Sequence, residues 1–151
     1  MNITLFTSNK SRHNYLINML SNISNNLFVV QETTTIFPGL VPGNYQVSKI
    51  LENYFKNVNI AQEKIFDNSY INNNNIKVLP LHWGDLSKCS LSLLKDFLKS
   101  DIYVIFGSSY IKGELLNFLC ERKALNIHMG VSPYYRGTDC NFWALFDDNP
   151  H

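Results

Sequence analysis

Hydrophobic positions along the chain alternate between short β-type runs and stripes of helical spacing. Residues 2–7 (NITLFT) form an apolar, β-branched run closed by Ser8 and Asn9, which predicts a buried first strand. From Lys10 onward Tyr15, Leu16, Met19 and Leu20 recur at helical spacing, with Ser8 or Asn9 placed to cap the helix. Residues 26–31 (NLFVVQ) return to strand character. The opening is therefore β-α-β, the unit of a parallel doubly wound sheet.

The middle of the chain is less regular. Prolines and glycines across 33–48 predict a loop, and a helix over 44–59 places Val47, Ile50, Leu51, Tyr54 and Phe55 on one face. Residues 60–75 are ambiguous, partly helical and then an asparagine-rich loop too short for a functional low-complexity segment. A short strand over 76–81 (IKVLPL) belongs near a sheet edge, because Pro80 has no N–H for a ladder. His82 and Asp85 read as a loop histidine and a helix cap, before a helix over 86–99 with Leu91, Leu94, Phe97 and Leu98 inward.

A second β-α-β unit follows. Residues 101–106 (DIYVIF) are almost continuously apolar, as a strand buried on both faces requires. The turn 107–110 and a helix over 111–121 lead to the run 124–128, in which Asn126 and His128 alternate with apolar residues and share one strand face. The fold class is α/β, Rossmann-like, a doubly wound and mostly parallel sheet. In such sheets ligands sit outside the C-terminal ends of the strands, which is where residues 107–110 and 126–136 emerge.

Bulk properties narrow the function. The 151 residues suffice for one domain with a core, and 45% hydrophobic with 17% charged residues describe an ordinary soluble protein. A net charge of +1 provides no footprint for nucleic acid or an anionic membrane. The three cysteines, Cys89, Cys120 and Cys140, form no C-x-x-C, so neither a zinc site nor a disulfide framework is expected, and a reducing cytoplasm fits. The N-terminus has no signal-peptide pattern and no apolar stretch is long enough to span a bilayer. The first turn, TSNKSRH, is not a G-x-G-x-x-G, which argues against a dinucleotide cofactor.

The richest stretch is 125–146, LNIHMGVSPYYRGTDCNFWALF. An asparagine and a histidine at a strand end, followed by a loop bounded by Gly130 and Gly137 and stiffened by Pro133, can donate a hydrogen bond and move a proton at one carbon centre. Taken alone, N-x-H is more often two polar side chains at a sheet end. The whole string, N-I-H, a small-residue turn, S-P-Y-Y-R-G and an aromatic helix, resembles the active-site signature of the folate-dependent formyltransferases. That family acts on methionyl-tRNA, glycinamide ribonucleotide and sugar nucleotides, and the form here is most similar to its bacterial sugar N-formyltransferase-like branch. The family's loop is of the type S-L-L-P-x-x-R-G; here Pro133 follows Ser132 directly, so contacts of the family's loop backbone need not transfer.

The resemblance implies transfer of a formyl group from 10-formyltetrahydrofolate to the amine of a small substrate, an amino-sugar nucleotide for a surface polysaccharide being the first choice. It implies no metal. His128 would transfer the proton and Asn126 would hold the formyl oxygen. Phe106, Gly107, Ser108, Ser109, Tyr110 and Ile111 would line the pterin slot, with Gly107 permitting close approach of the ring; a plain strand-to-helix turn capped by Ser108 or Ser109 is the simpler reading. Arg12 and His13 would lie beside the amine substrate, or else be solvated residues of a first helical turn. Ser132, Pro133 and Tyr134 would roof the formyl group, with Arg136 and Gly137 bracing the roof, while Phe142 and Trp143, in a helix begun near Thr138, would be core.

The family's third catalytic residue is an aspartate well beyond the histidine, and Asp139, Asp147 and Asp148 come too early to match it. The expectation is the N-terminal part of a formyltransferase catalytic domain over 1–151, lacking the last strands of its sheet. Little or no turnover is expected of it, and an exposed sheet edge would favour self-association as a homodimer. A formyltetrahydrofolate hydrolase and a non-catalytic folate-binding remnant are the competing readings.

Overall fold

The computed structural model describes residues 1–33, 49–66, 70–137 and 140–149. The element order is β1 (Asn2–Ser8), α1 (Ser11–Ile23), β2 (Asn26–Thr33), α2 (Lys49–Phe66), β3 (Ile76–His82), a 3-10 turn (Leu86–Lys88), β4 (Ile102–Phe106), α3 (Gly113–Glu121), β5 (Leu125–Asn126) and α4 (Cys140–Phe146). The strands form one parallel sheet in the order β3-β2-β1-β4-β5. From β1 the chain winds outward to β2 and β3, then crosses back to place β4 and β5 on the other side. The reversal between β1 and β4 is the topological switch point of a doubly wound sheet.

Each face of the sheet has its own core. Ile3, Leu5, Leu27, Val29 and Val104 pack with Ile17 of α1 on one side. Phe6, Val30 and Tyr103 pack with Leu115 and Leu119 of α3, and with Leu86 and Leu94, on the other. The expected two-faced burial of β4 is met, since neighbouring Tyr103 and Val104 serve opposite cores. Buried Thr4 is satisfied by hydrogen bonds to Phe97 O and Ser100 Oγ, which tie the 97–100 segment beneath the sheet. Pro80 lies on β3, which is an edge strand as expected.

Several expectations are corrected. α1 is capped by neither Ser8 nor Asn9; the Lys10 N–H donates to His13 Nδ1 at 3.2 Å. Its buried side chains are His13, Ile17 and Ser21, with Tyr15 and Met19 outward, because the sheet takes a stripe one residue round from the apolar one. Tyr15 meets Phe66 of α2 instead, ring centroids 5.4 Å apart. The second helix runs to Phe66, which resolves the first part of the ambiguous 60–75 stretch. Of the loop expected over 33–48, Thr33 belongs to β2, and the rest, with the helix start at Asn44 and Val47, lies outside the described residues.

The helix expected over 86–99 is absent. After the 3-10 turn the chain passes through extended Cys89 into successive turns, although Leu94 is buried and Leu91, Phe97 and Leu98 pack on the core as expected. Turn-type backbone bonds such as Leu93 N–H to Ser90 O at 3.1 Å and Phe97 N–H to Leu94 O at 2.8 Å hold the segment. Ser90 Oγ, which also accepts from Leu93 N–H and pairs with Ser92 Oγ, offers a local side-chain alternative to a continuous helical ladder. The asparagine loop has a structural use, since Asn75 Nδ2 donates to the Ser21 and Ser24 carbonyls and thereby closes the C-terminal end of α1.

Candidate active site

The C-terminal ends of β1, β4 and β5 lie side by side, with Thr7 opposite Phe106 and Ile105 opposite Asn126. The α1 start, the 107–111 turn and the 127–137 loop therefore leave one sheet edge in adjacent positions. The sequence-predicted groups are brought to a common edge by topology alone.

The 107–111 turn is rigidly held. Thr7 Oγ1 donates to Phe106 O at 2.7 Å, and the His13 ring lies against the Phe106 ring, 4.9 Å between centroids. Gly107 has φ +65°, and a Cβ there would fall 2.4 Å from His13 Nε2. Gly107 is thus required by the chain itself, independently of any ligand. His13 is 2% exposed, and burial, followed by the charges of Arg12 and Lys10, pushes its pKa down to about 3. The solvated alternative for His13 is corrected accordingly: it is a neutral wall beneath the turn, while Arg12 beside it is only partly buried.

Neither Ser108 nor Ser109 caps α3, whose N-cap is Lys112. Ser109 instead binds Glu32, a fully buried carboxylate that the sequence analysis did not single out. The only available signal was a lone acid in the otherwise apolar run 27–32. Tyr110 is 79% exposed and Ile111 is buried. Among the described residues the amides of Ser108 and Tyr110 and the carbonyls of Gly107 and Ser108 have no hydrogen-bond partner. A short row of unpaired backbone donors and acceptors on a fixed turn can present a donor–acceptor pattern to a flat polar ligand.

The N-x-H pair is less regular than expected. β5 ends at Asn126, so His128 lies beyond the strand rather than on its face, although the Ile127 N–H still donates to Ile105 O at 2.9 Å. At the sheet edge nothing holds a longer ladder against the turn at Gly130. Asn126 is exposed and its amide makes no hydrogen bond among the described residues. His128 Nδ1 lies 3.1 Å from Gly130 N and 3.0 Å from Gly130 O, and Nε2 lies 3.1 Å from Gly137 O, so either ring tautomer finds a backbone partner. Cys140 Sγ, buried, lies 3.9 Å from Nε2. A Cβ at Gly130 would meet Tyr135 O at 2.4 Å and Cys140 Sγ at 2.6 Å, so the turn is closed tightly around this cysteine.

Ser132, Pro133, Tyr134 and Arg136 are all exposed on the outer loop, whose Ser132–Pro133 peptide is cis. Tyr134 and Arg136 line a shallow pocket of roughly 270 Å³ together with Tyr135, Cys140, Trp143 and Asp147. Phe142 and Trp143 are about half exposed; Phe142 stacks on Phe146, and Trp143 meets both rings edge-on, so the expectation that they are core is corrected. Their α4 helix packs its apolar side chains chiefly among themselves, with one ring contact to Tyr54. Among the described residues no cluster of metal-binding side chains occurs and no helix is long and apolar enough to cross a membrane.

No protein-family model and no curated protein sequence matches the chain. Solved structures do. Phosphoribosylglycinamide formyltransferase from Anaplasma phagocytophilum superposes with a TM-score of 0.53 at 14% identity, over 97% of this chain and 58% of that one. This is a formyltransferase fold. The same fold is shared with glycinamide ribonucleotide transformylase 1 from Geobacillus kaustophilus (TM-score 0.53, 18% identity, 97% and 67% covered). It is shared too with phosphoribosylglycinamide formyltransferase from Bacillus halodurans (TM-score 0.54, 16% identity, 98% and 66% covered). The chain spans roughly three fifths to two thirds of the length of these formyltransferases.

Proposed function

We propose that the chain carries the folate and amine sites of an N-formyltransferase that uses 10-formyltetrahydrofolate as donor and a small amine as acceptor, an amino-sugar nucleotide in a reducing cytoplasm. The observation that carries this reading is the juxtaposition of N-I-H and S-P-Y-Y-R-G with a fixed, unpaired backbone turn at the switch point of a formyltransferase fold.

The residues divide the work. The 106–111 turn presents backbone groups to the pterin, and 10-formyltetrahydrofolate supplies the activated formyl group when bound. The unpaired Asn126 amide donates to the formyl oxygen as negative charge develops there; one such donor is worth roughly 10²–10³ in rate. His128 takes the proton that the attacking amine loses as its new bond to carbon forms, and returns it to the departing folate nitrogen. For this Nε2 or Nδ1 must leave its present backbone partner, which a turn of the exposed imidazole accomplishes. Arg12, Ser132, Pro133, Tyr134 and Arg136 bound the amine side, while His13 acts from beneath the pterin turn.

One observation favours the non-catalytic folate binder as a second reading: both His128 nitrogens face backbone groups. Titrating folate calorimetrically while assaying formyl transfer to amino-sugar nucleotides separates the two. The enzyme reading expects transfer that drops about 10²–10⁴-fold in His128→Ala with folate affinity nearly unchanged. Folate binding without transfer, equal in both proteins, identifies a binder, and absence of both leaves the fold alone.

A further inference from the structure

We infer that Glu32 is the positioning residue of the pterin turn, a role that deepens the formyltransferase reading and rests on it for the identity of the ligand. Glu32 closes β2 at the C-terminal edge of the sheet and is fully buried. Its Oε1 accepts hydrogen bonds from Gly84 N–H at 2.9 Å, Leu86 N–H at 3.3 Å and the Ser109 hydroxyl at 2.7 Å. Its Oε2 accepts from Ser109 N–H at 2.6 Å. The donors belong to two loops, one after β3 and one after β4, that are distant in sequence. Desolvating a carboxylate this completely is costly, and four donors aimed at it are what offset the cost.

The location separates positioning from bulk stability. Three of the four bonds go to the loop residues Gly84 and Ser109 at the ligand edge; the fourth donor, Leu86 N–H, opens the 3-10 turn, and none of the donors lies on a strand or an α-helix. The neighbouring Ser87 extends the clamp: its hydroxyl donates to Tyr110 O at 2.8 Å and accepts from Lys112 N–H at 2.9 Å. The turn is thereby held at Ser109, Tyr110 and Lys112 from below. That leaves the Ser108 and Tyr110 amides and the Gly107 carbonyl unpaired in a fixed row, preorganised for a ligand.

Glu32→Gln tests this without a large change of shape. In either orientation of the amide, its NH₂ meets Ser109 N–H or the three donors at Oε1, so at least one bond is replaced by an opposed pair of donors. The expected result is amide exchange about 10–100-fold faster at Gly84, Leu86 and Ser109, with β1 and β4 amides unchanged and folate binding about tenfold weaker. Ser109→Ala, which removes only the hydroxyl donor, moves the same observables in the same direction by less. Unchanged exchange at the three amides, acceleration spread evenly over β1 and β4, or equal folate affinity in wild type and Glu32→Gln would overturn the inference. Wild-type protein that fails to bind folate overturns the formyltransferase reading instead, while the exchange pattern still decides whether Glu32 fixes the turn.

Discussion

The 107–111 turn and the 128–137 loop leave adjacent strands, yet they are held in opposite ways. The first is fastened by side chains from elsewhere in the chain: buried Thr7, His13 and Glu32, and half-buried Ser87. The second is held by its own backbone, with His128 bonded to Gly130 and Gly137 and Tyr135 N–H donating to Val131 O, and by the segment directly after it, where the Tyr135 hydroxyl donates to Asp147 Oδ2 and accepts from Asn149 Nδ2. Buried Cys140 lies against His128, its Sγ 3.9 Å from Nε2. In the proposed enzyme the cofactor side is thus preorganised, while the side that moves a proton keeps the freedom to rearrange. Preorganised donors cost no reordering when a ligand arrives, whereas an exposed loop tied only to its neighbours in sequence opens with less loss of packing.

The contrast breaks most visibly at Gly107. Alanine there adds a left-handed backbone penalty of roughly 1–2 kcal/mol and an overlap with buried His13 Nε2 that costs about 1–3 kcal/mol. A loss of about 2–5 kcal/mol in urea unfolding is expected, and in a His13→Ala background the further cost of Gly107→Ala should shrink to the backbone strain of roughly 1–2 kcal/mol. A loss below about 1 kcal/mol in the single variant would show that the turn is no more fixed than its neighbour.

His13 supplies the next test. Its folded pKa, about 3, lies below the ordinary value of 6.5, so the unfolded chain takes up a proton first as pH falls. The stabilisation is fully present above pH 6.5 and is lost as pH falls toward 3. One proton corresponds to about 1.4 kcal/mol per pH unit, or about 2 kcal/mol lost by pH 5. Urea midpoints measured between pH 7 and 5 should fall by this much more in wild type than in His13→Asn. Parallel pH profiles would mean that His13 is not held neutral under the turn.

How far the fold could be read from the chain follows the same division. Strands β1, β2 and β4 were legible because their apolar runs serve local needs, and the β-α-β order then set the sheet. The edge location of Asn126 and His128 was legible for the same reason. What was missed depends on distant partners. Glu32 looked like a lone acid because its donors lie more than 50 residues away. The 86–99 segment kept helical spacing in its apolar residues, but Ser90 and Ser92 made bonds that spacing does not encode. His13 read as a surface residue because its burial is created by Phe106 and Gly107.

The smallest expected effect on stability gives the sharpest functional contrast. Tyr134 is 81% exposed and has no hydrogen bond among the described residues, so Tyr134→Ala should leave the unfolding free energy within about 0.5 kcal/mol of wild type. If the 128–137 loop roofs the reacting centre, the same change should raise KM for the amine or lower kcat while leaving folate affinity unaltered, because the pterin turn is fastened to other elements. A variant that lost folate affinity and amine turnover together would join the two loops into one unit, and the separation between a fixed cofactor side and a rearranging chemical side would fail. One that left both untouched would move the acceptor off this loop and toward Arg12, a cationic residue at the start of α1 on the same edge.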